Sequence, residues 1–174
     1  ESIFKKQLKD QFVILNVTFK LSKQANFQIS YGAIEQELAN MGVKELSNKA
    51  IAQAVINIRS SKLPNPKLIG NAGSFFKNPV ISKTHFNTLL ENFKDIPSYP
   101  ISEDQVKVPA GWLIEKVGFK GKRFDDYGVH KNQALVLVNY GNAKGNDILN
   151  LSKLIQKTVE RIFGIFIEAE VNIL

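Results

Sequence analysis

The sequence predicts an α+β fold, a mainly antiparallel β-sheet packed against several helices. Three observations predict it. Some short stretches alternate apolar and polar residues with period two, and others repeat apolar residues at i, i+3, i+4 and i+7. The two kinds are interleaved without the strand–helix–strand rhythm that builds a parallel sheet. The chain has 174 residues, 44% hydrophobic and 22% charged, which suits one good hydrophobic core and not a disordered chain.

Taken in order, Ile14 to Leu21 sets Val17, Phe19 and Leu21 against Thr18 and Lys20 and is expected to be a half-buried strand. Phe27, Ile29 and Tyr31 continue the alternation in a second strand, ended by Gly32. Ile51, Ala54, Val55 and Ile58 lie on one face of a helix expected over Ser47 to Arg59, which must stop before Pro64. LPNPKLIGNAGS reads as the longest loop, and Phe75 to Ile81 as a short strand. Ser82 is a suitable N-cap for a helix with Phe86, Leu89, Leu90 and Phe93 on one stripe. Pro109 opens another helix, with Ala110, Leu113, Ile114 and Val117 inward and Gly118 just past its end. FKGKRFDDYG reads as a charged loop, Ala134 to Asn139 as an apolar strand, and the stretch after YGNAKGND as a helix stopped by Gly164. The terminal IFIEAEVNIL alternates strictly: Ile165, Ile167, Ala169, Val171 and Ile173 point one way, with Glu168 and Glu170 on the other face about 7 Å apart.

Composition narrows the chemistry. With no cysteine there is no disulfide, no thiolate nucleophile and no Cys-based metal site, and two histidines are too few for most His-based ones, so no metal is expected. No apolar run approaches the ~20 residues that span a bilayer, and no signal segment opens the chain, so a soluble protein is expected. The formal net charge of +7 favours anionic partners: nucleic acid, an acidic membrane surface or a phosphorylated small molecule.

Each suggestive cluster also has an ordinary explanation. GNAGSFFKNP, residues 70 to 79, lacks the spacing of a phosphate loop and the helix that follows a G-x-S-x-G elbow. On pattern alone Ser74 is therefore a turn hydroxyl. Glu168 and Glu170 read as a solvated strand face, and His130 as a hydrogen-bonded structural histidine. Lys62, Lys67, Lys77, Lys120 and Lys122 could neutralise phosphates or simply confer solubility, while Phe75 and Phe76 could stack bases or anchor the core.

GNAGSFFKNP, PAGWLIEKVGFKG, VHKNQALVLVN with GNAKGNDI, and IEAEV, in that order, resemble the C-terminal half of the UDP-N-acetylenolpyruvoylglucosamine reductase (MurB) family. SIFKKQL and VTFKLSK resemble the end of that family's FAD-binding part, and SKLPNPK its lead into the serine loop. The resemblance implies two parts: residues 1–24 as the last strand or strands of the FAD-binding region, and residues 25–174 as the substrate-binding domain. It also implies a cytoplasmic oxidoreductase, a monomeric flavoprotein of peptidoglycan synthesis, and with it a place in cell-wall biogenesis, cell shape, cell cycle and cell division. In that reaction NADPH reduces FAD, and the flavin passes hydride to UDP-N-acetylglucosamine enolpyruvate to give UDP-N-acetylmuramate. No nucleic acid or membrane partner is implied.

By position in the motifs, Ser74 matches the family's proton-donating serine and Glu170 its second catalytic carboxyl. Tyr31 matches a tyrosine on a mobile loop that closes over the diphosphate. Lys62, Asn78 and Gln133 match diphosphate-binding positions, and Tyr99 and Lys120 the uridine end. Most flavin contacts, and an arginine for the enolpyruvyl carboxylate, belong to the part of the family that precedes residue 1. The chain alone is thus expected to bind the UDP-sugar weakly, carry no flavin and be inactive. It departs from the family pattern at FDDYG, at Ala169 where a proline is familiar, and at Asn172 where an arginine is common. The alternative function is a non-enzymatic basic α+β module binding single-stranded nucleic acid through Phe75, Phe76 and the loop lysines.

Overall fold

The computed structural model describes residues 2–173. The chain divides into two compact units, 1–52 and 53–174. In the first, a single 3-10 turn at Ile3–Lys5 precedes helix α1, Ile34–Asn40, which buries Leu38. Helix α2, Asn48–Lys62, begins in the first unit and ends in the second. It starts one residue after Ser47, whose hydroxyl accepts the Ala50 amide at 3.1 Å and caps it.

The strands expected at Ile14–Leu21 and Phe27–Tyr31 do not form. Alternation only prepares one face for burial; a strand also needs a hydrogen-bonded neighbour, and none of the described strands pairs with these residues. Val13, Leu15, Val17, Phe19 and Leu21 are all exposed.

The second unit holds two sheets, antiparallel throughout. In the four-stranded sheet the order is β1 (Gly70–Ser74), β7 (Val136–Asn139), β6 (Tyr127–Val129), β5 (Arg123–Phe124). The three-stranded sheet has the order β2 (Val80–Ser82), β4 (Gln105–Lys107), β3 (Tyr99–Pro100). Helix α3 (Lys83–Asn92) packs on the smaller sheet; α5 (Gly145–Phe163) packs on β6 and β7, with α4 (Ala110–Lys116) against it.

Capping set the helix ends where the sequence placed them. Ser82 accepts the His85 amide at 3.2 Å, Pro109 immediately precedes α4, and Gly164 ends α5 at φ +64°, the left-handed conformation glycine adopts without strain. Phe76, Val108, Leu113, Ile114, Val129, Ile155, Phe163 and Ile167 form the centre of the core. Burying each such side chain is worth roughly 1.5–3 kcal/mol.

Four further expectations need correction. The end of the presumed loop, GNAGS, is strand β1, because its backbone groups pair with β7 despite a turn-like composition. FKGKRFDDYG contains the β5–β6 hairpin, turned by Asp125 at φ +50° and Asp126. The terminal alternating segment is no regular strand: it makes one isolated bridge, Phe76 to Ala169. Its alternation nevertheless governs burial, with Ile165 and Ile167 inside and Phe166, Glu168 and Glu170 exposed. Between β1 and β2, only Phe76 of the expected Phe75–Ile81 strand makes a bridge before Val80.

Candidate functional site

Ser74 is the last residue of β1 and is exposed. It stands opposite Val136, just after an irregularity in the β1–β7 register between Asn71 and Ser74. Gly73, at φ +73°, makes that irregularity possible, and the Asn71 side chain braces it by accepting the Gly73 amide at 3.1 Å and donating to the Ile69 carbonyl at 3.0 Å. Past the serine, the Phe75 amide donates to the Leu135 carbonyl at 2.8 Å, and Phe75 and Phe76 are buried against each other. The hydroxyl thus rides on a backbone fixed on both sides. Base stacking by the two phenylalanines is ruled out by their burial.

The terminal segment crosses at this point. The Glu170 amide donates to the Phe75 carbonyl at 2.8 Å and the Lys77 amide to the Glu168 carbonyl at 2.9 Å. Ser74 and Glu170, 96 positions apart in sequence, are therefore on neighbouring backbone. Glu168 is occupied by an ion pair with Lys77 at 3.0 Å.

A second group of predicted residues gathers around the start of α4. The Asn78 side-chain oxygen accepts the Ala110 amide at 2.9 Å. Gln133 lies beside Gly111, and its side-chain oxygen accepts the Leu135 amide at 3.4 Å. Both oxygens are used, so each amide has its NH2 group left as a donor. Asn132, next to Gln133, donates to the Ser61 carbonyl at 2.9 Å and so ties Lys62, at the exposed end of α2, to the same neighbourhood.

Tyr99 lies in the smaller sheet, opposite Lys107, which in turn faces Val80 across β2. Lys107 is half-buried in this cross-strand row, opposite Val80, which follows Asn78 by two positions. Lys120 is paired with Glu115 at 2.9 Å, a contact any anion would have to compete with. Tyr31 belongs to the first unit, where it is exposed.

Beside these segments opens a cavity of about 710 Å³, lined by apolar Phe75, Leu137, Ile148, Leu149 and Val171 together with several asparagines and Lys144. Ser74 and Glu170 do not line it, but their neighbours Ala72, Phe75 and Val171 do. His130, buried, accepts the Asn132 amide at 3.4 Å on its Nδ1, the structural part expected of it. Burial holds its pKa below the ordinary histidine value, and the Lys131 charge adds to that. Among the described residues no group of three His, Asp or Glu could hold a metal ion, and no helix is long and apolar enough to cross a membrane.

Two antiparallel sheets with helices packed on them define an α+β domain, with Ser74 at an irregularity that ends β1. The family sequence model for the UDP-N-acetylenolpyruvoylglucosamine reductase C-terminal domain matches residues 64–174. The chain belongs to that family. It is 58% identical to the UDP-N-acetylenolpyruvoylglucosamine reductase of Flavobacterium johnsoniae, covering 100% of this chain and 52% of the relative. The proteins of the same name from Amoebophilus asiaticus and Pseudomonas syringae pv. tomato are 50% and 44% identical, over 100% and 99% of this chain and 51% of each relative. The chain thus spans about half the length of the curated relatives it matches.

Proposed function

We propose that this chain is the substrate-binding part of an FAD- and NADPH-dependent reductase that converts UDP-N-acetylglucosamine enolpyruvate to UDP-N-acetylmuramate, a soluble enzyme of peptidoglycan precursor synthesis. The observation that carries the reading is the backbone bond from Glu170 to Phe75, which brings the serine and glutamate segments of a family member side by side. The 1–24 and 25–174 division is part of the same proposal.

When bound, the flavin supplies the hydride to the enolpyruvyl β-carbon. Phe75, Leu137, Ile148 and Leu149 line the cavity beside Phe75 with apolar side chains that would suit contact with a flavin. What this chain contributes is the proton and the grip. Ser74 Oγ gives its proton to the α-carbon of the enolate left after hydride addition. A hydroxyl is a weak acid near neutral pH, but the enolate of a carboxylate is basic enough to take its proton, and a neutral donor adds no charge to the site. Glu170 stands by the enolpyruvyl carboxylate, where a neighbouring cation or partial protonation offsets the repulsion.

Lys62 and the NH2 groups of Asn78 and Gln133 are suited to a diphosphate, being one charge and two neutral donors around the start of α4. Tyr99 and Lys120 serve the uridine end, and Tyr31 is assigned to the diphosphate by its match to the family motif. The net charge of +7 supports an anionic ligand. Isothermal titration of the isolated chain with UDP-N-acetylglucosamine enolpyruvate should show weak binding, with no yellow flavin and no NADPH oxidation. Absence of any heat, with steep salt-dependent binding to an oligonucleotide instead, would replace this reading by the nucleic-acid one.

A further inference from the structure

The terminal segment poses a register problem. Because side chains alternate with period two, sliding residues 165–171 by two positions along Phe75–Lys77 keeps the apolar face inward and puts Glu168 where Glu170 stands. Alternation alone therefore does not choose which glutamate comes beside Ser74.

Three contacts do choose. The Lys77 ammonium meets the Glu168 carboxylate at 3.0 Å, directly across the ladder. Ala169 faces the buried Phe76 in a pair where side chains come closest, and a slip would bring Ile167 there instead. On the other edge of the segment, where none of the described strands lies, the Gln156 side chain of α5 donates to the Ile167 carbonyl at 2.8 Å. That carbonyl points away from Phe75–Lys77, so the amide of Gln156 takes the place of a neighbouring strand.

We propose that Gln156 and the Lys77–Glu168 pair are a register lock, positioning residues that hold Glu170, and not Glu168, beside Ser74. This gives Glu168 a purpose distinct from catalysis. The functional consequence rests on the reading of Ser74 and Glu170 above, whereas the lock itself is independent of it.

The test is amide hydrogen exchange read residue by residue by NMR on the full-length protein, with Glu168→Gln and Gln156→Leu combined. In the native protein the Glu170 amide, bonded to Phe75, should exchange slowly. In the double variant it should exchange about tenfold faster, the size expected from losing one exposed ion pair and one side-chain hydrogen bond. The Phe75 amide, bonded to Leu135, should keep its protection and show that the sheet is intact. Substrate reduction should fall with flavin reduction by NADPH unchanged. Unaltered protection at Glu170 overturns the lock. Lost protection with full substrate reduction upholds the lock and counts against the assigned part of Glu170 instead.

Discussion

The Glu170 amide donates to the Phe75 carbonyl at 2.8 Å, one peptide unit beyond Ser74. That bond joins the residue after the first strand of the larger sheet to the terminal segment, and it sets the backbone of Glu170 next to the residue that follows the serine. In the full-length protein Ser74→Ala should cut substrate reduction by about 10²–10⁴-fold, the usual worth of a positioned proton donor, with flavin reduction by NADPH near normal. Stopped-flow measurement of the two half-reactions separates them. Equal loss in both would make the serine structural.

The sequence showed the helices, α1 (Ile34–Asn40) excepted, better than the sheet, for a physical reason. A helix carries its own hydrogen bonds, so Ser47, Ser82 and Gly164 sufficed to mark ends that the structure reproduces within a residue or so. A strand depends on a remote neighbour. GNAGS is a strand because β7 lies beside it, and Ile14–Leu21, with a better alternating pattern, is not one because no described strand does. The same logic applies to the site. Ser74 and Glu170 were visible only through family motifs, since nothing local reveals that residues 75 and 170 meet.

His130 gives a pH dependence with a definite sign. Burial disfavours its charged form, so its folded pKa lies below the unfolded value of about 6.5. Between the two values the unfolded chain holds more protons. Its contribution is therefore fully present above about pH 6.5, is lost as pH falls through the window down to the folded pKa, and is constant below it. Urea melts at pH 7.5 and 5.5 should show lower stability at the acid value, and His130→Gln should shrink the difference. An unchanged difference would assign it to other groups.

Gly128 sits in β6 opposite Arg123, and a Cβ there would collide with the Lys122 carbonyl oxygen and lie 2.9 Å from the Arg123 Cα. These are backbone atoms, which cannot swing aside as a side-chain tip would. Gly128→Ala should destabilise the unit by about 1–3 kcal/mol, the usual cost of overpacking. Thermal melting would show it as a fall in Tm of several degrees. An unshifted Tm would mean that the hairpin relaxes freely.

Asn78 allows capping and ligand binding to be separated. Its oxygen accepts the Ala110 amide at the start of α4, and its NH2 group remains to donate. Asn78→Ala removes both, and should cost about 1 kcal/mol of stability together with UDP-sugar affinity. Asn78→Asp is the informative variant: a carboxylate still accepts the Ala110 amide, so stability should be preserved, but it replaces a donor with a negative charge facing the diphosphate. Binding should weaken by tenfold or more, as for a charged contact turned from attraction to repulsion, on the order of 1.5–3 kcal/mol. Melting curves and titration of the same two proteins measure the two effects side by side. If the aspartate variant binds as well as the parent while melting normally, Asn78 is a cap alone, and the diphosphate must be held by Lys62 and Gln133.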